Sequence, residues 1–222
     1  ERPTGRWPSA LHGFQAQLSR RPDPQATCLP QGCLASDPRL EFWLAGETGL
    51  PFVDALMRYL AATGWLNAHL RGLVLSLAVH QLGLDWQAAS AALARRLTDY
   101  DPAIFWPQAK KLAGQTDETP RLFNPIKQGF DLDPNGSFTR RWLPELACLP
   151  DSCLQTPWKW EGAARLLGSR YPEPLVDIAT AHRTAREAIW ARYGRPLRSV
   201  PRSAPLLIET PQPQHGQLRL EF

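Results

Sequence analysis

The placement of proline limits this chain more than any other feature. There are 22 prolines in 222 residues, roughly twice the usual share. Proline fixes φ and lacks an N–H, so it opens helices but seldom sits inside them. Pro3, Pro8, Pro22, Pro24, Pro30 and Pro38 interrupt residues 1–40, and Pro196, Pro201, Pro205, Pro211 and Pro213 deny a helix to the C-terminal end. The expected organisation is a loop-rich N-terminal arm over 1–40 with one short helical piece, Leu11–Leu18. A compact body follows over 41–194, then an extended Pro-rich tail over 195–222.

The body reads as helical. Leu66, Leu70, Leu73, Val74, Leu77 and Ala78 recur at helical spacing. Leu75, Val79 and Leu82 fill a second face of the same segment, which marks a central helix. Gly83 closes it, and Asp85 is placed to cap a helix over Trp86–Thr98. An earlier helix runs over Phe52–Ala62 between Pro51 and Gly64, and a last one over Asp177–Tyr193 before Gly194. Period-2 alternation is confined to Leu206–Ile208 and Gln217–Leu220. The expected fold class is all-α, a helical bundle.

Composition narrows the function classes. A hydrophobic share of 43% supplies one sizeable core. No apolar run approaches the ~18 residues of a spanning helix, and no secretory h-region opens the chain, so the expectation is a cytoplasmic protein with no membrane partner. Glu1 is not a starting Met, which suggests a trimmed or excerpted chain. GxGxxG, P-loop, HExxH and GxSxG patterns are missing. The net charge of +4 is mild and permits, without requiring, a nucleic-acid or phosphate partner. Only four cations are Lys against 21 Arg, a bias that a GC-rich genome alone would give.

Three stretches carry a specific signal when taken in order. The first is Trp43-Leu-Ala-Gly46-Glu-Thr48-Gly49-Leu-Pro51-Phe-Val-Asp54-Ala55-Leu-Met57-Arg58, running on to Thr63-Gly64-Trp65. The second is Leu84-Asp85-Trp86 with Leu97-Thr98-Asp99-Tyr100-Asp101. The third is Arg121-Leu-Phe123-Asn124-Pro125-Ile-Lys-Gln128-Gly129, then Asp133-Pro-Asn-Gly136, Arg141-Trp142-Leu-Pro144-Glu145-Leu146 and Pro157-Trp158-Lys159-Trp160. Together they resemble the C-terminal part of the helical, FAD-binding domain of the DNA photolyase/cryptochrome family, over about residues 43–194.

The resemblance implies a flavin site. A buried isoalloxazine offers an N–H to a carboxylate and carbonyl edges to a guanidinium. In the family an Arg on the central helix pairs with the first Asp of Asp-x-Asp, and the second Asp meets the flavin. Those positions match Arg71, Asp99 and Asp101. A purely structural Arg–Asp tie between helices is the alternative, although buried pairs are weak stability devices. Trp65 matches a Trp near the adenine end. Phe105 falls where the family faces flavin N5, and Phe can neither give nor take a proton. Of the family's electron-carrying tryptophans, Trp86 has a clear match and Trp106 is a substitute for another.

The departures matter equally. The family's His-Asn-Arg reads Asn67-Ala68-His69, and Ala68 cannot make the Asn contact to damaged pyrimidines. The family's Asn-Asn-Gly-Gly-Trp-Gln-Trp is replaced by Ile104-Phe105-Trp106-Pro107-Gln108. No stretch matches the loop that grips the flavin phosphates, the Trp-Arg-Glu-Phe helix or the antenna domain. The expectation is a shortened flavoprotein with a photoreduction, light-signalling or DNA-linked role, and not ordinary cyclobutane-dimer repair. Two other readings stand beside it: a cofactor-free DNA- or sliding-clamp-associated binding module, and a subunit whose partner completes the flavin pocket. Whether the chain is an enzyme is left open.

Other motifs carry less. Cys28-Leu-Pro-Gln-Gly-Cys33 and Cys148-Leu-Pro-Asp-Ser-Cys153 echo each other, but the four-residue gap sits at the edge of zinc spacings, and the expectation is no metal. The terminal Gln217-Leu218-Arg-Leu220-Glu-Phe222 resembles a bacterial sliding-clamp-binding hexapeptide, with three apolar anchors and an orienting Gln. His80 and His182 read as packed or surface residues, and Trp142, Trp158 and Trp160 as core packing in preference to base stacking.

Overall fold

Helix starts in this protein are written in proline and in short polar caps. The computed structural model describes residues 37–194, so the arm's Leu11–Leu18, the pair Cys28 and Cys33, and the tail with its terminal hexapeptide lie outside the described residues. Helix α1 (Pro38–Ala45) is capped by Asp37, α5 (Pro102–Leu112) by Asp101 and α6 (Pro125–Leu132) by Asn124, each with proline in the first turn and the cap side chain accepting a backbone N–H. α2 (Pro51–Thr63) also opens on proline and ends at Gly64 in the left-handed region. Asn67 caps α3 (Ala68–Ser76), and Asp85 caps α4 (Trp86–Ala94). Shorter helices α7 (Ser137–Trp142), α8 (Asp151–Leu154) and α9 (Ala163–Leu166) lead to α10 (Ile178–Tyr193), capped by Asp177. Among the described residues there is no strand, only an isolated bridge between Leu167 and Tyr171. No described helix is long and apolar enough to cross a membrane.

Two expected helices end differently. The central helix widens after Ser76 into a π turn, Leu77–Gln81, with Leu82 N–H bonded to Leu77 O. At this turn His80 Nε2 donates to Leu112 O and Gln81 Nε2 donates to Phe123 O, tying it to α5 and to the segment before α6. α4 stops at Ala94, four residues short of Thr98. The N–H groups of Arg96 and Leu97 tighten to residues three back, and Thr98 N–H leaves the helix for Gly64 O at 2.9 Å. A tertiary acceptor thus replaces the intrahelical one.

The main core packs α2, α3, the π turn and α4 around Trp43, Leu56, Met57, Leu60, Leu73, Val74, Leu77, Leu82 and Leu93. A second cluster gathers Ala55 with Leu143, Leu146, Leu149, Leu154, Leu166 and Tyr171. Phe138 packs against both and meets Phe52 and Tyr59 edge-on. Trp142, Trp158 and Trp160 are partly buried against these clusters, in line with packing.

One buried carboxylate joins the clusters. Asp54 accepts from Thr48 N and Thr48 Oγ1 on one oxygen, and from Gly49 N and the Tyr171 hydroxyl on the other. Gly49 has φ 77°, and a Cβ there would lie 2.5 Å from the Pro174 backbone, so this close approach needs glycine. Leu175 N–H completes the junction by bonding Thr48 O. Burial outweighs the four donors and lifts the Asp54 carboxyl to about 6. Burial first, and the Asp54 charge second, push Tyr171 well above its ordinary value.

Replacing Asp54 with Ala leaves four buried donors without an acceptor, and urea unfolding is expected to show a loss of about 3 kcal/mol or more. The pH dependence has a definite sign. The carboxyl moves from 3.8 unfolded to about 6 folded, so the folded state holds the proton more tightly. Stability from this group therefore rises as pH falls from above 6 towards 3.8, by at most about 3 kcal/mol. Unfolding free energies of the native protein and of Asp54→Asn across that window check it, and the variant's slope should be smaller.

Candidate functional site

Three backbone segments meet at the start of α3. The Gly64–Leu66 turn follows α2, the Thr98–Asp101 turn follows α4, and Arg71 stands one turn into α3. Thr98 locks the two turns together, donating both N–H and Oγ1–H to Gly64 O at 2.9 and 3.1 Å. Gly64 adopts φ 70°, and a Cβ there would collide with Thr98 Cγ2. Arg71 then spans both turns. Its Nε donates to Leu66 O at 2.6 Å and its Nη2 to Asp99 Oδ2 at 2.5 Å.

The Arg71–Asp99 pair is not buried. The two side chains are 21% and 47% exposed, so the pair faces solvent on one side and differs from a sealed interhelical tie. Asp101 also lies on the surface. Its Oδ1 accepts Ala103 N–H at 2.8 Å and caps α5, while Oδ2 has no protein partner among the described residues. Trp65 is 47% exposed, and its backbone N–H reaches Thr63 Oγ1. Ala68, beside them at the start of α3, is exposed and carries only a methyl group.

Beneath this polar edge runs an aromatic ladder. Tyr100 meets Phe105 at 5.6 Å between centroids, Phe105 meets Trp106 at 5.8 Å, and Trp106 meets Trp86 at 6.2 Å, all edge-on. Phe105 and Trp106 are buried and Trp86 is half-buried. The indole N–H of Trp106 donates to the Tyr100 hydroxyl oxygen at 2.9 Å. The structure thus brings together Arg71 with Asp99, and Trp86 with Phe105 and Trp106. Trp65 and Asp101 stand on the adjoining turns.

Sequence reasoning missed Tyr100 and Thr98. A Tyr between two acids and six residues before a Trp matches no helical spacing, so no periodic signal marked it. The lock on Gly64 joins residues 34 apart and had none either.

Elsewhere, His69 Nε2 pairs with Gln128 Oε1 at 2.8 Å, and Phe123 lies edge-on to His69 with the Arg121 guanidinium 4.6 Å from its centroid. Burial lowers the affinity of His80 for a proton, and His182 shifts the same way through burial and the nearby Arg186 charge. Among the described residues no three His, Cys, Asp or Glu side chains are grouped to hold a metal ion.

The Arg71 edge thus presents a partly exposed cation and two surface carboxylates, Asp99 and Asp101, groups whose chemistry suits the N–H and carbonyl edge of a flavin ring. The FAD binding domain of DNA photolyase matches residues 11–191. The chain is 39% identical to Cryptochrome DASH of Gloeobacter violaceus over 175 residues, covering 74% of this chain and 35% of that protein. It is 38% identical to the deoxyribodipyrimidine photo-lyase of Escherichia coli over 159 residues, covering 69% and 32%. Among solved structures, a cryptochrome of Synechocystis superposes with a TM-score of 0.63 at 35% identity, covering 68% of this chain and 33% of that one. An archaeal photolyase from Sulfolobus tokodaii, crystallised with two FAD molecules, gives 0.62 at 32% identity, covering 71% and 35%. The chain spans about a third of the length of the curated relatives it matches.

Proposed function

The chain belongs to the DNA photolyase/cryptochrome family, within its FAD-binding domain, and on that premise we propose that it holds FAD at the Arg71 edge and works in light-driven electron transfer, as a photoreductive, signalling or DNA-linked protein. The observation that carries this reading is the Arg71–Asp99 pair standing open beside Asp101 with one carboxylate oxygen unspent.

FAD supplies a light-absorbing ring that takes up and returns single electrons. The protein's own groups do the rest. Asp101 Oδ2 would accept a ring N–H. Arg71 brings positive charge, which favours an electron-rich ring, and Asp99 fixes the guanidinium through a charge-assisted bond. Trp65 flanks the site with an exposed apolar face. Phe105 exchanges no proton and keeps its side of the site dry. Trp106 and Trp86, in edge contact, would form the route by which an electron reaches the ring through the protein. The phosphate end of FAD calls on groups beyond this cluster, either from other parts of the chain or from a partner subunit.

Cyclobutane-dimer repair needs a flipped lesion held against the flavin. Ala68 offers no amide for it. The role supported here is therefore light-driven electron transfer without ordinary dimer repair.

The first test is the visible spectrum of the purified chain, followed by titration with FAD. Native protein is expected to bind it. Arg71→Ala and Asp101→Ala should each bind roughly tenfold to a hundredfold more weakly, the effect of losing a charged hydrogen bond. A chain that stays colourless and indifferent to FAD would reject the reading and leave the cofactor-free module, associated with DNA or the sliding clamp, as the account to pursue.

A second test is repair itself. With FAD and blue light, the native protein should leave cyclobutane dimers in DNA uncleared over times in which a competent photolyase clears them. Measurable clearance would refute this part.

A further inference from the structure

Three consecutive residues between α4 and α5 point to three separate tasks. Asp99 binds Arg71, Asp101 caps α5, and Tyr100 between them turns its ring to Phe105 and its hydroxyl to Trp106. The last contact is not something every buried indole in this protein obtains. Trp43 is fully buried, and its Nε1 has no partner among the described residues. Trp106, 8% exposed, donates its N–H to the Tyr100 oxygen at 2.9 Å while its ring meets Trp86 at 6.2 Å.

The chemistry of that pairing is specific. An indole that loses one electron becomes a radical cation, and its N–H turns acidic. Whether the proton then leaves depends on what faces the nitrogen. A phenol oxygen accepts a hydrogen bond but is far too weak a base to take the proton. Of the nearest carboxylates in sequence, Asp99 binds Arg71 and Asp101 Oδ1 caps α5, and the Trp106 nitrogen is bonded to the Tyr100 oxygen and to neither of them.

We propose that Tyr100 is a positioning residue that holds Trp106 by its indole N–H, so that Trp106 is oxidised and re-reduced as a cation without losing its proton. This rests on the reading of Trp106 as an electron carrier next to a bound flavin. The balance is simple. One electron leaves the Trp106 ring for a one-electron oxidant, the light-excited flavin, and the proton stays on Nε1. Trp86 returns one electron to Trp106, and an external one-electron reductant such as a thiol refills Trp86. No bond to hydrogen is broken on Trp106, so the hole moves at the rate of electron transfer alone.

The first measurement needs no flavin. In a nitrogen–proton correlation spectrum of the full chain, the Trp106 indole peak is the one missing from Trp106→Phe. Tyr100→Phe keeps the ring and removes only the hydroxyl. It should shift that peak and speed its exchange with solvent at least tenfold, with the other indole peaks of the chain's nine tryptophans unmoved. An unmoved Trp106 peak would overturn the hydrogen bond and the proposal with it.

The second measurement is transient absorption on the flavin-loaded chain, where cationic and deprotonated indole radicals have distinct visible bands. The native protein should give the cation with no solvent isotope effect on its decay. Tyr100→Phe, with water admitted at Nε1, should give the deprotonated radical and a clear isotope effect. A deprotonated indole radical or a tyrosyl radical in the native protein would sink the proposal. If no flavin binds, the functional reading fails by itself. A ruthenium polypyridyl photo-oxidant then generates the Trp106 radical, read as the difference between native protein and Trp106→Phe, with the same two outcomes deciding.

Discussion

The carboxylate of Asp54 is the point on which the rest of this structure leans. It sits at the first turn of α2 with no access to solvent, and it gathers donors from the Thr48–Gly49 turn and from Tyr171, 117 residues further along the chain. A group of this kind is costly to bury and tolerable only when each oxygen is fully engaged. Meeting that demand fixes the entry to α2, seats the Pro174 backbone against Gly49 and brings the second hydrophobic cluster onto the first. The Arg58–Glu145 pair, at 2.7 Å, bridges the same two regions nearer the surface.

With α2 fixed, the turn that follows it becomes a platform. Gly64 O takes two hydrogen bonds from Thr98, so the end of α2 decides where the chain leaving α4 must turn. Residues 99–101 are held from both sides, by Arg71 before them and by the α5 cap after them. Their alternation delivers one side chain to the polar edge, one to the aromatic ladder and one to the helix start. The polar edge is open, while the two middle rings of the ladder, Phe105 and Trp106, are buried between the half-buried Tyr100 and Trp86.

Much of this was legible in the sequence, and the legible part has a common physical basis. Helix positions followed from local rules: Pro51 opens α2, Asp85 caps α4, Gly64, Gly83 and Gly194 turn left-handed, and Leu73, Val74 and Leu77 lie on the buried side of the central segment. Arg71, Asp99 and Asp101 were singled out through an ordered set of motifs, and the structure pairs Arg71 with Asp99. The early end of α4 and the π turn after Ser76 were not. In each case a backbone or side-chain group found its partner on a distant segment, at Gly64, Leu112 or Phe123, and local preference gave way to a tertiary bond.

The sequence by itself determined the class of fold, the family and the residue types available at the Arg71 edge, because caps, periodic apolar faces and motif spacing act over a few residues and are written in order. Only the tertiary structure decided that the Arg71–Asp99 pair is open to solvent, that Trp106 meets Trp86, and that Tyr100 holds the Trp106 indole. Those outcomes depend on contacts between segments that approach only once the Asp54 junction and the Gly64–Thr98 lock have closed, and no pattern along the chain encodes such distances.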